Sequence, residues 1–146
     1  MKINEPGRVM ALDVGERRIG VALSDPTRTL ATPLTTIRAE PRATALKRIV
    51  TLIREHEVTA LVVGLPLTMS GDIGPQATLV QQFVDELRQV IKIPLSFVDE
   101  RLTTVAAERM MIDLKLKPEQ RKARIDEVAA SIILQDFLDV HRQTSD

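Results

Sequence analysis

The chain has 146 residues with 20 Lys+Arg against 20 Asp+Glu, so its formal charge is zero and any affinity for nucleic acid must come from local clustering. Cysteine is absent and histidine occurs only as His56 and His141, which excludes a disulfide scaffold, a cysteine nucleophile, a thiolate zinc site and a three-histidine metal site. A 44% hydrophobic, 27% charged chain of this length is expected to form one domain over residues 1–146, with flexible ends at 1–7 and 142–146.

No apolar run approaches the roughly 18 residues of a membrane span, and the first residues lack a signal-peptide core, so a cytoplasmic location and no membrane partner are expected. Val9 to Val14 is a short apolar run between Gly7 and Gly15 and reads as a mostly buried strand interrupted by Asp13. Ile19 to Ser24 follows closely enough to be its antiparallel partner. Asp25-Pro26 turns the chain, and Ala31 to Ile37, rich in threonine but containing Pro33, is a weaker strand. After Glu40-Pro41 the period changes: Ala43, Leu46, Ile49, Val50 and Ile53 recur at helical spacing. Leu61 to Leu65 reads as a buried parallel strand. Pro66 to Pro75 is a loop, and Pro75 opens a helix with Leu79, Val80, Phe83, Val84 and Leu87 on one side. Ile93 to Val98 is a fifth strand ending in Asp99-Glu100, and Thr103 or Thr104 can cap a helix to about Leu114. The last helix starts between Glu119 and Arg124 and runs to about Val140, with Ile125, Val128, Ala129, Ile132, Ile133 and Phe137 as its apolar stripe. The order β-β-β-α-β-α-β-α-α predicts an α/β fold: a mixed five-stranded sheet with helices on its faces.

Carboxylates stand at three places where the surrounding pattern is apolar. Asp13 sits in the first strand, where an ionised group is costly unless paired or metal-bound. Asp99 and Glu100 close the fifth strand, where successive side chains point to opposite faces, so at most one of them serves a given site. Asp126 lies on the same helical face as Ala130, Ile133 and Phe137, with small Ala129 and Ala130 permitting close approach. Hard oxygen donors in this number, without histidine or cysteine to match, suit Mg²⁺ or Mn²⁺ and phosphoryl chemistry. Arg17, Arg18, Arg101, Lys115, Lys117, Arg121, Lys122 and Arg124 provide a local basic surface for phosphates. Without tryptophan or tyrosine, base stacking is not supported. Gly64, Gly71 and Gly74 mark a loop that could admit a phosphate backbone, but the glycine-lysine-serine/threonine ending of an ATP-binding loop is missing. His56 and His141 read as structural.

Four signatures follow one another along the chain: Ala11 to Ala22 with Ser24-Asp25; Val63 to Leu67 with Gly71 and Gly74-Pro75; Asp99 to Thr104; and Ile125 to Ala130 continuing to Gln135. In this order they resemble the YqgF/RuvX family of the RNase H-like superfamily. That family is described as nucleases maturing the 5′ end of pre-16S ribosomal RNA and as Holliday junction resolvases. The resemblance implies that Asp13, Glu100 and Asp126 bind divalent metal and that water attacks a phosphodiester. Asp99 would orient the site or touch metal through water, and Arg17 and Arg101 would position phosphates. Thr68 and Gln76 depart from the family's usual asparagine and basic residue. Two other functions compete: resolution of branched DNA, which would need two active sites and hence a homodimer, and non-catalytic binding of nucleic acid or ribosome.

Overall fold

The computed structural model describes residues 7–100, 112, 115 and 117–144, except for the side chains of 120–123 and 142–144. The first strand, β1 (Arg8–Val14), is apolar on both of its faces up to Asp13 and takes the central position of a five-stranded sheet. It pairs antiparallel with β2 (Arg18–Ser24), and β2 pairs antiparallel with β3 (Ala31–Arg38) at one edge. On its other side β1 runs parallel to β4 (Val58–Leu65), which runs parallel to β5 (Leu95–Asp99). The order is β3-β2-β1-β4-β5, the expected mixed sheet. Pro33 lies in the edge strand, where a missing backbone donor is tolerated.

Alternation along the strands divides the core in two. Met10, Leu12, Ile19, Val21, Leu61 and Val63 join Ile49 and Leu52 of α1 (Arg42–Glu55) and Val80, Phe83 and Leu87 of α2 (Pro75–Arg88). Val9, Ala11, Ala22, Ala60 and Val62 face Ala130, Leu134, Phe137 and Leu138 of α3 (Pro118–Thr144). Pro75 opens α2 as expected, its absent N–H being one that no helical carbonyl would accept.

The stripe expected on the last helix resolves into two. Ala130, Leu134, Phe137 and Leu138 pack on the sheet, whereas Val128 and Ala129 are buried in a separate cluster with Ile125 and Ile132. A helix with apolar residues on two sides cannot be assigned a single inner face from spacing alone. α3 also continues to Thr144, past the expected end near Val140. At the other end Gly7 is tied in, donating to the Pro26 carbonyl at 3.2 Å and accepting from Arg28 Nε at 2.8 Å. The helix expected from Thr103 to Leu114 lies outside the described residues. Among those described, no helix is long and apolar enough to cross a membrane.

Candidate active site

Asp13 is the last residue of β1 on the face covered by α3, in line with Val9 and Ala11. Both of its neighbours across the sheet are glycines. On β2 it pairs with Gly20, and on β4 Gly64 occupies the position after the Leu12–Val63 pair. A Cβ on Gly20 would lie 1.9 Å from the Asp126 carbonyl oxygen and 2.2 Å from its carbon. The backbone of α3 therefore rests directly on the sheet beside Asp13, an approach open only to glycine. A Cβ on Gly64 would lie 2.7 Å from Glu100 Oε2 and 2.6 Å from Ile133 Cδ1. Gly64 thus belongs to a strand, not to the loop after it, and the space it leaves is taken by the protein's own carboxylate and isoleucine.

Glu100 is fixed by its N–H, which donates to the Leu65 carbonyl at 3.3 Å, and its side chain hydrogen-bonds to Asp13. Burial, reinforced by the charge of Asp13, pushes the Glu100 carboxyl up to about 9. Asp13 is also raised, by burial and by the charge of Asp126, although the hydrogen bond from Glu100 opposes this. Both shifts run upward, so the hydrogen-bonded pair favours holding a proton between its two carboxyl groups. Asp99 is exposed and one residue away on the alternating strand, so Glu100 is the carboxylate of the two that reaches Asp13. Asp126 is held from the other side by Arg18, whose Nε lies 2.7 Å from its Oδ2.

Of the basic residues expected to line a substrate surface whose side chains are described, Arg18 is the one placed against the carboxylates. Arg17 is exposed in the adjoining turn, Lys115 and Lys117 are exposed, and Arg124 lies 3.8 Å from Glu127 one helical turn away. Arg101 and the side chains of Arg121 and Lys122 lie outside the described residues. The loop before α2 is closed on itself. Thr68 exchanges backbone hydrogen bonds with Gly71 and Asp72, and its hydroxyl accepts from the Asp72 N–H at 3.0 Å. Gly71 has φ of 88°, which favours glycine, and a Cβ on Gly74 would crowd Thr68 Cγ2 at 3.0 Å. His56 ends α1 through its backbone, and the His141 ring stacks on Phe137 at 3.9 Å, in keeping with structural roles.

The donors suit a hard cation: two carboxylates forced onto one proton, with a third close enough to raise Asp13. Among the described residues, however, no three such groups converge on one metal position, and Asp126 is paired with Arg18. Sequence reasoning did not single out Gly20 or the Arg18–Asp126 pair. The signal for the first was a glycine within an apolar strand; the second joins residues 108 positions apart.

Residues 7–140 match the family model described as RuvX, Holliday junction resolvase. A protein of Roseiflexus sp. (strain RS-1), named "Putative pre-16S rRNA nuclease", is 86% identical over 139 residues, covering 95% of this chain and 99% of its own length. One of the same name from Chloroflexus aurantiacus is 58% identical over 134 residues, covering 92% and 88%. Among solved structures, RuvC of T. thermophilus in complex with a Holliday junction substrate superposes with a TM-score of 0.58 at 13% identity, covering 94% of this chain and 97% of its own. That likeness establishes the fold as RNase H-like.

Proposed function

Since the chain belongs to the YqgF/RuvX family of RNase H-like nucleases, we propose that it cleaves ribosomal RNA precursor in a divalent-metal-dependent reaction that matures the 5′ end of 16S rRNA. The observation that carries this reading is the carboxylate pair Asp13–Glu100, largely buried at the carboxyl ends of the strands β1 and β5 with Asp126 beside it. Asp13, Glu100 and Asp126 would hold the cation. A divalent ion bound there supplies Lewis acidity, acidifying water and stabilising the leaving oxygen. Glu100 must lose its proton for all three carboxylates to act as ligands, so loading is accompanied by proton release. Arg18 and the exposed Arg17 place cationic groups at the same end of the sheet, where the phosphate backbone would lie. The relatives from Roseiflexus and Chloroflexus carry a ribosomal RNA name, which favours RNA over junction DNA as substrate.

The test is Mn²⁺-dependent cleavage of a 5′-extended pre-16S rRNA fragment, with a four-way DNA junction in parallel and Asp13→Asn as control. RNA cleavage should fall by at least about 10³-fold in the variant without loss of thermal stability. Wild-type cutting by Asp13→Asn, or cutting that persists in chelator, would overturn the reading. Cleavage of the junction alone would move the substrate to branched DNA.

A further inference from the structure

We propose that Arg18 is an exchangeable cation for Asp126: it holds this carboxylate in the metal-free protein and, once a divalent ion is bound, releases it and turns to the substrate phosphate. This rests on the metal-dependent reading above. The placement follows from the strand. Arg18 lies two residues from Gly20 and four from Ala22, both on the α3 face of β2, so its side chain emerges beside the first half of α3. Arg17 is one position off that alternation.

The contact has the character of a removable one. A single Nε donor meets Oδ2 at 2.7 Å, and no fork of two parallel bonds forms among the described residues. The Arg18 side chain is 52% exposed against 22% for Asp126, so solvent and substrate reach the guanidinium while the carboxylate stays close to Asp13. An ion pair this exposed is weak and yields readily to a competitor of higher charge. Its presence is nonetheless useful: without a cation, Asp126 would face the charge already shared between Asp13 and Glu100. The guanidinium therefore stands in for a cation, and Arg18, at the start of β2, is open to solvent.

A positioning role alone and an exchange role predict opposite signs. If Arg18 merely aims Asp126, its removal weakens metal binding. If it competes for Asp126, removal strengthens binding while slowing cleavage, because the phosphate loses its guanidinium. The experiment titrates Mn²⁺ at fixed pH into the wild type, Arg18→Met and Arg18→Lys, following the free aqua ion by electron paramagnetic resonance. Cleavage of the rRNA fragment is measured at saturating Mn²⁺, and melting curves confirm folding.

We expect Arg18→Met to bind Mn²⁺ about three- to tenfold more tightly and to cleave at least about tenfold more slowly. Arg18→Lys should fall between it and the wild type in both, since the ammonium keeps the charge but loses the planar group. Equal or weaker Mn²⁺ binding by Arg18→Met, or unchanged cleavage, would overturn the exchange role and leave the metal-dependent reading standing. If Asp126→Asn leaves Mn²⁺ binding untouched, the metal site itself is misassigned and both readings fall.

Discussion

The two faces of the sheet solve different problems with the same strands. Against α1 and α2 the strands present large side chains, Met10, Leu12, Ile19, Leu61 and Val63, which fill space and bury apolar area. Against α3 they present Ala11, Ala22 and Ala60, shrinking to Gly20 and Gly64 beside Asp13. The first face gains stability from volume. The second gives up volume for proximity, and what it gains is an Asp126 backbone in contact with the sheet and a Glu100 carboxylate lying over Gly64. The site therefore lies where the α3-facing positions of β2 and β4 drop to glycine, at the point where the carboxylates meet.

The sharpest way to break this contrast is to add one methyl group to the proximal face. In Gly20→Ala the new Cβ would lie 1.9 Å from a backbone oxygen, which cannot swing aside as a side chain can. α3 must lift at Asp126, and we expect a loss of about 3 kcal/mol or more with cleavage below detection. Leu61→Ala, on the other face, should cost about 2 to 5 kcal/mol through its cavity, yet keep near wild-type cleavage per folded molecule. Denaturant melts and turnover of the two variants provide the check. Comparable activity in both would mean that proximity at Gly20 does not build the site.

This division also decides what could be read from the residues alone. Asp13 and Asp126 stood out as candidates because each falls among apolar residues, where an ionisable group requires a reason, whereas Asp99 and Glu100 were legible only as a pair closing a strand, and the family resemblance singled out Glu100. The parity argument allowed only one of Asp99 and Glu100 at the site, and β5 selects Glu100 because Val98 packs on the α3 side and Phe97 on the other. The sheet order was legible as a class from the element sequence. The contribution of Gly20 was hidden because its reason is an atom 106 positions away, and the same distance in sequence concealed the pairing of Arg18. Gly64 was legible as part of the strand from Leu61 to Leu65, but grouping it with the loop glycines Gly71 and Gly74 missed its place beside Asp13, which the register supplies. The α3 stripe was blurred because two buried sides overlap in one periodicity.

A smaller effect separates the faces by pH. Glu100 stays protonated in the folded protein up to about 9 but ionises near its ordinary 4.5 once unfolded. Between these values the unfolded chain binds fewer protons at Glu100 than the native one, so the contribution of this group to metal-free stability is full below about 4.5 and is lost as pH rises toward 9. The slope for one proton is at most about 1.4 kcal/mol per pH unit. The melting temperature of the metal-free wild type should therefore fall across this window, whereas Glu100→Gln should be flatter and more stable at its alkaline end. Leu61→Ala should keep the wild-type slope, since its face holds no such pair. Parallel slopes for the wild type and Glu100→Gln would remove the shared proton from the account.

The gentlest probe lies on the α3 face but at the opposite end from the carboxylates. Gln135 accepts from the Ala31 N–H at 2.9 Å and donates to the Thr29 carbonyl at 3.1 Å and to Asp139 Oδ1 at 3.0 Å. It ties α3 to the turn in which Asp25 accepts from the N–H groups of Thr27, Thr29 and Leu30, contacts that hold the Asp25 carboxyl well below the usual range. Gln135→Ala leaves the Ala31 donor without its side-chain partner and should cost about 1 to 2 kcal/mol. Cleavage well below the melting temperature should be unchanged, because α3 is still seated at Gly20. If this variant instead lost activity along with stability, seating of the helix would be a property of its whole length and not of the glycine contact beside Asp13.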